Sequence, residues 1–212
     1  MKIIGTHGGT SFGQGGSTHH AIEDLAVIRS LANMTLICPA DSAETALATK
    51  SAAANFGPYY IRLNRGTSPV VYKDANYGFV VGKAVKLTDG EDATIIACGS
   101  AVYQALQAAI KLNEEKGISV RVLDMHTIKP IDKEAIIAAI KDTGHIITAE
   151  DHTIIGGLGG AVAEVIAESG LACKFKRLGI QDRFSPMGLP DDLLKIHGID
   201  SASIADAVKA LL

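Results

Sequence analysis

The sequence predicts an α/β fold made of two successive units: a partial α/β domain, then a second α/β domain with a mostly parallel sheet. Three observations predict it. Short apolar, β-branched runs alternate with Ala-rich helical patterns along the 212 residues. The turns between them carry Gly, Pro, Asp and Ser. Residues 64–92 lose the alternation and hold loop chemistry, so the rhythm falls into segments 1–70 and 93–212, joined by a linker over 71–92.

In order, Lys2-Ile3-Ile4-Gly5 reads as a strand. Residues 21–31 read as a helix, with Ile22, Leu25, Ala26 and Ile28 on one stripe. A strand over 34–38 closes at Pro39. The Ala-rich stretch 42–55 is a helix capped by Asp41 or Ser42 and stopped by Gly57-Pro58. Tyr59-Tyr60-Ile61-Arg62-Leu63 is the third strand. Gly66-Thr67-Ser68-Pro69 and Lys73-Asp74-Ala75-Asn76 are turns, with one or two short strands expected over 78–87. The second unit has strands over 93–97, 118–123, 145–149 and 175–180. Its helices are expected from Gly99-Ser100 to 115, from the Asp132 cap to 140, within 156–169, and over 191–197 and 201–211. This βαβ rhythm predicts a mostly parallel sheet with helices on both faces.

Composition narrows the function. Hydrophobic residues are 47% and charged residues 20%, with a net charge of -3 and scattered Lys and Arg. Neither nucleic acid nor an anionic membrane is favoured as a partner. No apolar run reaches the roughly 18–20 residues of a spanning helix. Cys38, Cys98 and Cys173 lie far apart beside apolar patterns and read as buried free thiols of a reducing, cytoplasmic compartment.

Chemistry concentrates near the start. His7 follows a strand, where open α/β sheets bind ligands. His19 is delivered by a Gly-rich loop to the start of the 21–31 helix, where a neutral imidazole can donate to an oxygen and move a proton near neutral pH. His20, one residue on, faces elsewhere. Arg65 ends a strand and can grip a phosphate or carboxylate through two parallel bonds, whereas Arg62 turns to the other face or pairs with an acid. Gly156-Gly157-Leu158-Gly159-Gly160 lacks dinucleotide-loop spacing and reads as close helix–sheet packing or a subunit contact. Glu150-Asp151-His152 reads as a solvated loop or interface contact, because three adjacent side chains cannot all face one ion. No metal site is expected.

The stretch Gly13-Gln14-Gly15-Gly16-Ser17-Thr18-His19-His20-Ala21-Ile22-Glu23 resembles the second signature of transketolases. It departs at Gly15, where that signature carries an acidic or amide residue. The rest of the chain is similar to the C-terminal portion of that thiamine diphosphate-dependent family. Thr6-His7, Pro39-Ala40-Asp41 and Asn64-Arg65-Gly66 resemble the second half of its pyrimidine-binding domain. Asp124-Met125-His126-Thr127-Ile128-Lys129-Pro130, Glu150-Asp151-His152 and Gly156-Gly157-Leu158-Gly159 resemble its C-terminal domain.

The resemblance implies that His19 contacts the donor's carbonyl and C1 hydroxyl and assists proton transfer. It implies that His7 contacts sugar hydroxyls or phosphate, and that Arg65 holds the sugar phosphate. Gly15 stands where an aspartate reads an acceptor hydroxyl, which predicts a roomier acceptor site. The resemblance also implies an assembly that binds thiamine diphosphate and Mg²⁺ and transfers a two-carbon ketol unit between sugar phosphates. The family's activating glutamate and its diphosphate-binding domain have no counterpart in residues 1–212, so no cofactor-binding residue is assigned here. The expected partner is an N-terminal subunit or an upstream part, in a homodimer or α2β2 assembly, and the chain reads as though it starts inside a domain. A deoxyxylulose-phosphate synthase, a 2-oxoacid dehydrogenase β subunit and a non-catalytic assembly module stay open as alternatives.

Overall fold

The computed structural model describes residues 1–212 except Thr67, Ala75 and Asn76. The turns expected at 66–69 and 73–76 therefore lie partly outside the described residues. Nine strands are described: β1 (Lys2–Gly5), β2 (Thr35–Ile37), β3 (Tyr59–Arg62), β4 (Val85–Thr88), β5 (Ala93–Ala97), β6 (Val120–Asp124), β7 (Thr127–Lys129), β8 (His145–Thr153) and β9 (Lys174–Ile180). Seven α-helices accompany them: α1 (Asp24–Ser30), α2 (Ser42–Ala54), α3 (Ala101–Lys116), α4 (Lys133–Thr143), α5 (Leu158–Ser169), α6 (Pro190–His197) and α7 (Ser201–Leu211).

The strands form two sheets, ordered β1-β3-β2-β7 and β4-β6-β5-β8-β9. All pairings are parallel except β2 with β7 and β4 with β6. Strand β4 lies within 71–92 and pairs with β6 in the five-stranded sheet, and no other strand is described in that stretch. Strand β7 has no counterpart in the sequence reading. Three residues are too short to show a period, and β7, which follows β6 of the five-stranded sheet, pairs instead with β2 of the other sheet.

The two units share one core. Leu25, Leu36 and Cys38 pack with Ile96, Cys98, Met125, Ile128 and Leu158 in a single buried cluster. A second cluster seats α3 and α7 on the five-stranded sheet through Val102, Ala105, Ala109, Ile204 and Val208 against Ile95, Val122 and Ile147. Cys38 and Cys98 are buried and Cys173 is partly buried, all as free thiols.

Local chemistry explains the helix starts. Asp41, Asp132 and Asp200 cap α2, α4 and α7, each accepting a backbone amide three residues on. The glycines near α5 serve close packing. A Cβ on Gly157 would fall 2.6 Å from His152 Nδ1, and one on Gly159 would fall 2.9 Å from the Thr148 hydroxyl.

Candidate active site

Helix α1 starts at Asp24, not at 21. Residues 13–15 instead form a single 3-10 turn, and the backbone of Ala21 bridges in parallel to Gly8. The apolar stripe counted as helical in the sequence begins in this extended bridge, because the Gly9 amide takes the Ala21 carbonyl at 2.8 Å. His19 therefore sits in a turn five residues before α1, away from the helix dipole.

The loop that carries the histidines is tied down from several sides. The Gly8 amide donates to the Leu63 carbonyl (2.9 Å), so the turn after β1 follows the end of β3. Ser11 Oγ donates to the Gly8 carbonyl (2.7 Å) and accepts the Arg65 amide (3.0 Å). His20 is buried, with Nε2 3.1 Å from the Gly13 carbonyl oxygen, so it holds the loop from beneath.

His7, His19 and Arg65 are all exposed and meet on one side chain, Phe12. The His7 ring stands edge-on to Phe12 at 5.3 Å between centroids and 86° between planes. The His19 ring lies 5.3 Å away, tilted by 54°. The Arg65 guanidinium sits over the Phe12 face, 4.5 Å from its centroid. Each imidazole is pinned by the threonine before it: His7 Nδ1 lies 2.9 Å from Thr6 Oγ1, and His19 Nδ1 lies 2.9 Å from Thr18 Oγ1. Nδ1 is thus engaged in both rings, and Nε2 is left for an external oxygen. His7 holds φ at +62°, a left-handed conformation rare for a non-glycine residue and often found where function fixes a side chain.

At Gly15 the space that a side chain would take is already occupied. A Cβ there would fall inside the Phe12 ring's van der Waals envelope and 2.8 Å from the His19 Cβ. The space expected to be vacant is filled by Phe12, a residue that the motif's Gly and His positions gave no reason to single out.

Arg65 also lines a cleft of about 660 Å³, together with Thr10, Ser11, Asn64, Ser100, Gln104 and Lys195. The cleft lies where β3 ends and where α3 and α6 approach.

The stretch Glu150-Asp151-His152 corrects the solvated-loop reading. All three are buried, within a β8 four residues longer than the expected strand. Asp151 accepts the Thr10 amide at 3.1 and 3.0 Å and the Thr10 hydroxyl at 3.0 Å. Burial pushes its carboxyl up, and Arg62 and the Thr10 bonds draw it back. Glu150 accepts the Leu158 and Gly159 amides at 2.7 and 2.8 Å, capping α5. Burial still raises it to about 7. His152 Nδ1 lies 2.7 Å from the Thr153 carbonyl oxygen, so it carries the proton, while Nε2 accepts the Ala26 amide at 3.4 Å. Burial and the neighbouring Arg62 lower this imidazole to about 4.

Arg62 links the layers. Its Nε donates to Asp24 (3.1 Å), and its Nη2 to the carbonyls of Ala21 and Asp151 (2.9 Å each). Arg29 donates to the Gly156 carbonyl (2.8 Å) and grips Glu164 through both terminal nitrogens at 2.7 Å. The C-terminal unit thus holds the histidine loop from below.

Two family models match this chain: the transketolase pyrimidine-binding domain over residues 1–70 and the transketolase C-terminal domain over residues 82–204. The chain belongs to the transketolase family. Its curated relatives include a putative transketolase C-terminal section of Methanocaldococcus jannaschii, 45% identical over 98% of this chain and 65% of that protein. One subunit of an apulose-4-phosphate transketolase from Phocaeicola vulgatus is 41% identical over 96% of this chain and 64% of its own length. Among solved structures, a split-gene transketolase described as an inactive β4 tetramer superposes with a TM-score of 0.87 at 40% identity, covering all of this chain and 66% of that one. The chain spans less than two thirds of the length of those two curated relatives.

The family depends on thiamine diphosphate. Among the described residues, no three His, Cys, Asp or Glu side chains converge as a metal site. The Gly-rich start of α5 is already filled by the Glu150 carboxylate. No helix among the described residues is long and apolar enough to cross a membrane.

Proposed function

We propose that this chain is the C-terminal subunit, or C-terminal part, of a transketolase that moves a two-carbon ketol unit from a ketose phosphate to an aldose phosphate. The observation that carries this reading is the convergence of His7, His19 and Arg65 on Phe12 at the end of the first sheet. Two hydrogen-bonding imidazole rings beside a guanidinium match a polyhydroxylated, phosphorylated chain better than a simple 2-oxoacid. The names of the relatives, a transketolase C-terminal section and a transketolase subunit, support it.

In this reading His19 binds the donor's carbonyl and C1 hydroxyl and shuttles a proton through Nε2. His7 hydrogen-bonds sugar hydroxyls, and Arg65 clamps the phosphate at the cleft mouth. The carbanion chemistry would come from thiamine diphosphate and Mg²⁺ bound by the whole assembly. The partner is an N-terminal subunit or the upstream part of the same protein, in a homodimer or α2β2 arrangement. The free thiols suit a reducing cytoplasm.

Product analysis tests this. The assembled enzyme, given a ketose phosphate donor and an aldose phosphate acceptor, is expected to yield the products of two-carbon exchange and to leave pyruvate untouched. Carbon dioxide release from pyruvate without ketol exchange would overturn it.

A further inference from the structure

The linker is seated on two carboxyls that no step of the proposed reaction uses. Glu44 lies in the first turn of α2 and Asp124 ends β6, and both are fully buried. Tyr77 Oη donates to Glu44 Oε1 and Tyr72 Oη donates to Asp124 Oδ2, each at 2.7 Å. The two tyrosine rings stack, with 3.7 Å between centroids and 10° between planes. Asp41, the cap of α2, accepts the Val71 and Tyr72 amides at 2.9 and 2.8 Å. Val71, Tyr72 and Tyr77 of the linker thus rest on α2 of the first unit and β6 of the second.

The pair of carboxyls is short of a donor. Glu44 accepts at both oxygens, since Oε2 takes the Ala40 amide at 2.7 Å. Asp124 accepts only at Oδ2, and its Oδ1 is buried with no hydrogen-bond partner. A buried charge left unpaired neutralises instead. The Glu44 and Asp124 side chains lie within hydrogen-bonding reach of each other, yet two ionised carboxylates have nothing to donate. Among the described residues neither carboxyl is in an ion pair. The other titratable groups that face them are Asp41, Cys38, Tyr72 and Tyr77, and none brings positive charge.

We propose that Asp124 and Glu44 hold one proton between them, carried on Asp124 Oδ1 and donated to Glu44, and that this proton locks the linker to both units. Two carboxyls in one buried site cannot both ionise, so one of them keeps its proton. Burial and then the Glu44 charge push the Asp124 carboxyl well above its ordinary value of 3.8. Burial raises Glu44 too, while the Ala40 amide and the Tyr77 hydroxyl draw it back. The folded protein therefore keeps a proton that the unfolded chain releases. The stability linked to the lock is fully present below the ordinary carboxyl value and is lost as pH rises through the raised folded value. The inference stands apart from the ketol-transfer reading.

The test uses Asp124→Asn in the assembled protein. Asparagine keeps the oxygen that accepts Tyr72 and puts an amide donor where the proton sits. Denaturant unfolding of wild type and variant is followed from pH 6 to pH 8 at one protein concentration. Glu150 and the histidines titrate in both proteins and cancel in the comparison. The wild-type unfolding constant is expected to rise about tenfold more per pH unit than that of the variant, the slope of one retained proton. Parallel pH curves would overturn the inference. Infrared spectra with isotope-labelled aspartate in this chain alone give a second readout. Near pH 8 the wild type should show a protonated aspartate carboxyl band that the variant lacks. A wild type without that band would overturn the inference, and this measurement decides if the variant does not fold.

Discussion

The backbone amide and hydroxyl of Thr10 both donate to the Asp151 carboxylate, at 3.0–3.1 Å, across 141 residues of chain. Both residues are buried. Thr10 follows His7 by three positions and precedes Phe12 by two, so β8 of the second sheet fixes the loop that presents the site.

That clamp is testable. Asp151→Ala leaves the Thr10 amide and hydroxyl without an acceptor, and a buried unsatisfied donor costs about 1–3 kcal/mol. Urea denaturation should show a loss of about 2–4 kcal/mol for Asp151→Ala and a smaller loss for Asp151→Asn, which keeps one oxygen acceptor. Equal losses would mean that the hydrogen bonds to Thr10 are not what the carboxylate contributes.

His152 gives a pH signature. Its folded value is lowered to about 4 from an ordinary 6.5, so the folded state binds fewer protons than the unfolded state between these values. The stability linked to it is present above pH 6.5 and is lost as pH falls toward 4, by at most about 1.4 kcal/mol per unit. Glu150, raised to about 7, acts in the opposite sense: its contribution is present below pH 4.5 and lost as pH rises through 7. His152→Asn should therefore be destabilised relative to wild type at pH 7.5, with the gap narrowing at pH 5. Denaturant midpoints at the two pH values measure it, and an equal or larger gap at pH 5 would contradict the assignment.

Arg65 should act on binding rather than chemistry. In the assembled enzyme Arg65→Ala is expected to raise KM for a phosphorylated acceptor about tenfold or more, with kcat little changed. KM for glycolaldehyde, which has no phosphate, should stay the same. A matching rise for glycolaldehyde would move Arg65 from phosphate binding to holding the loop.

Much of this is legible in the sequence because the local signals agree. The βαβ rhythm predicts the parallel strands, and Asp41 and Asp132 mark the starts of α2 and α4 in the primary structure. What is not legible is tertiary. Three residues of β7 find their sheet only by crossing to β2. The acidic look of Glu150-Asp151-His152 suggests solvent, yet their partners Leu158, Gly159, Thr10 and Ala26 lie up to 141 positions away. Helix α1 starts later than its apolar stripe suggests because Ala21 answers to Gly8, a pairing no helical period reveals. The three candidate site residues stand out singly by type and motif. That Phe12 joins them, and that it fills the space beside Gly15, depends on side-chain packing.

The most direct measurement of the central claim is the activity of His19→Ala in the assembled enzyme, with a ketose phosphate donor and an aldose phosphate acceptor. His19 is exposed, with Nδ1 beside the Thr18 hydroxyl and its ring against Phe12, so its melting curve should match wild type. The account predicts that kcat/KM falls about 10²–10⁴-fold, the range for a removed proton-transfer group. Unimpaired transfer in a folded, assembled variant would contradict it and would leave this chain as an assembly module.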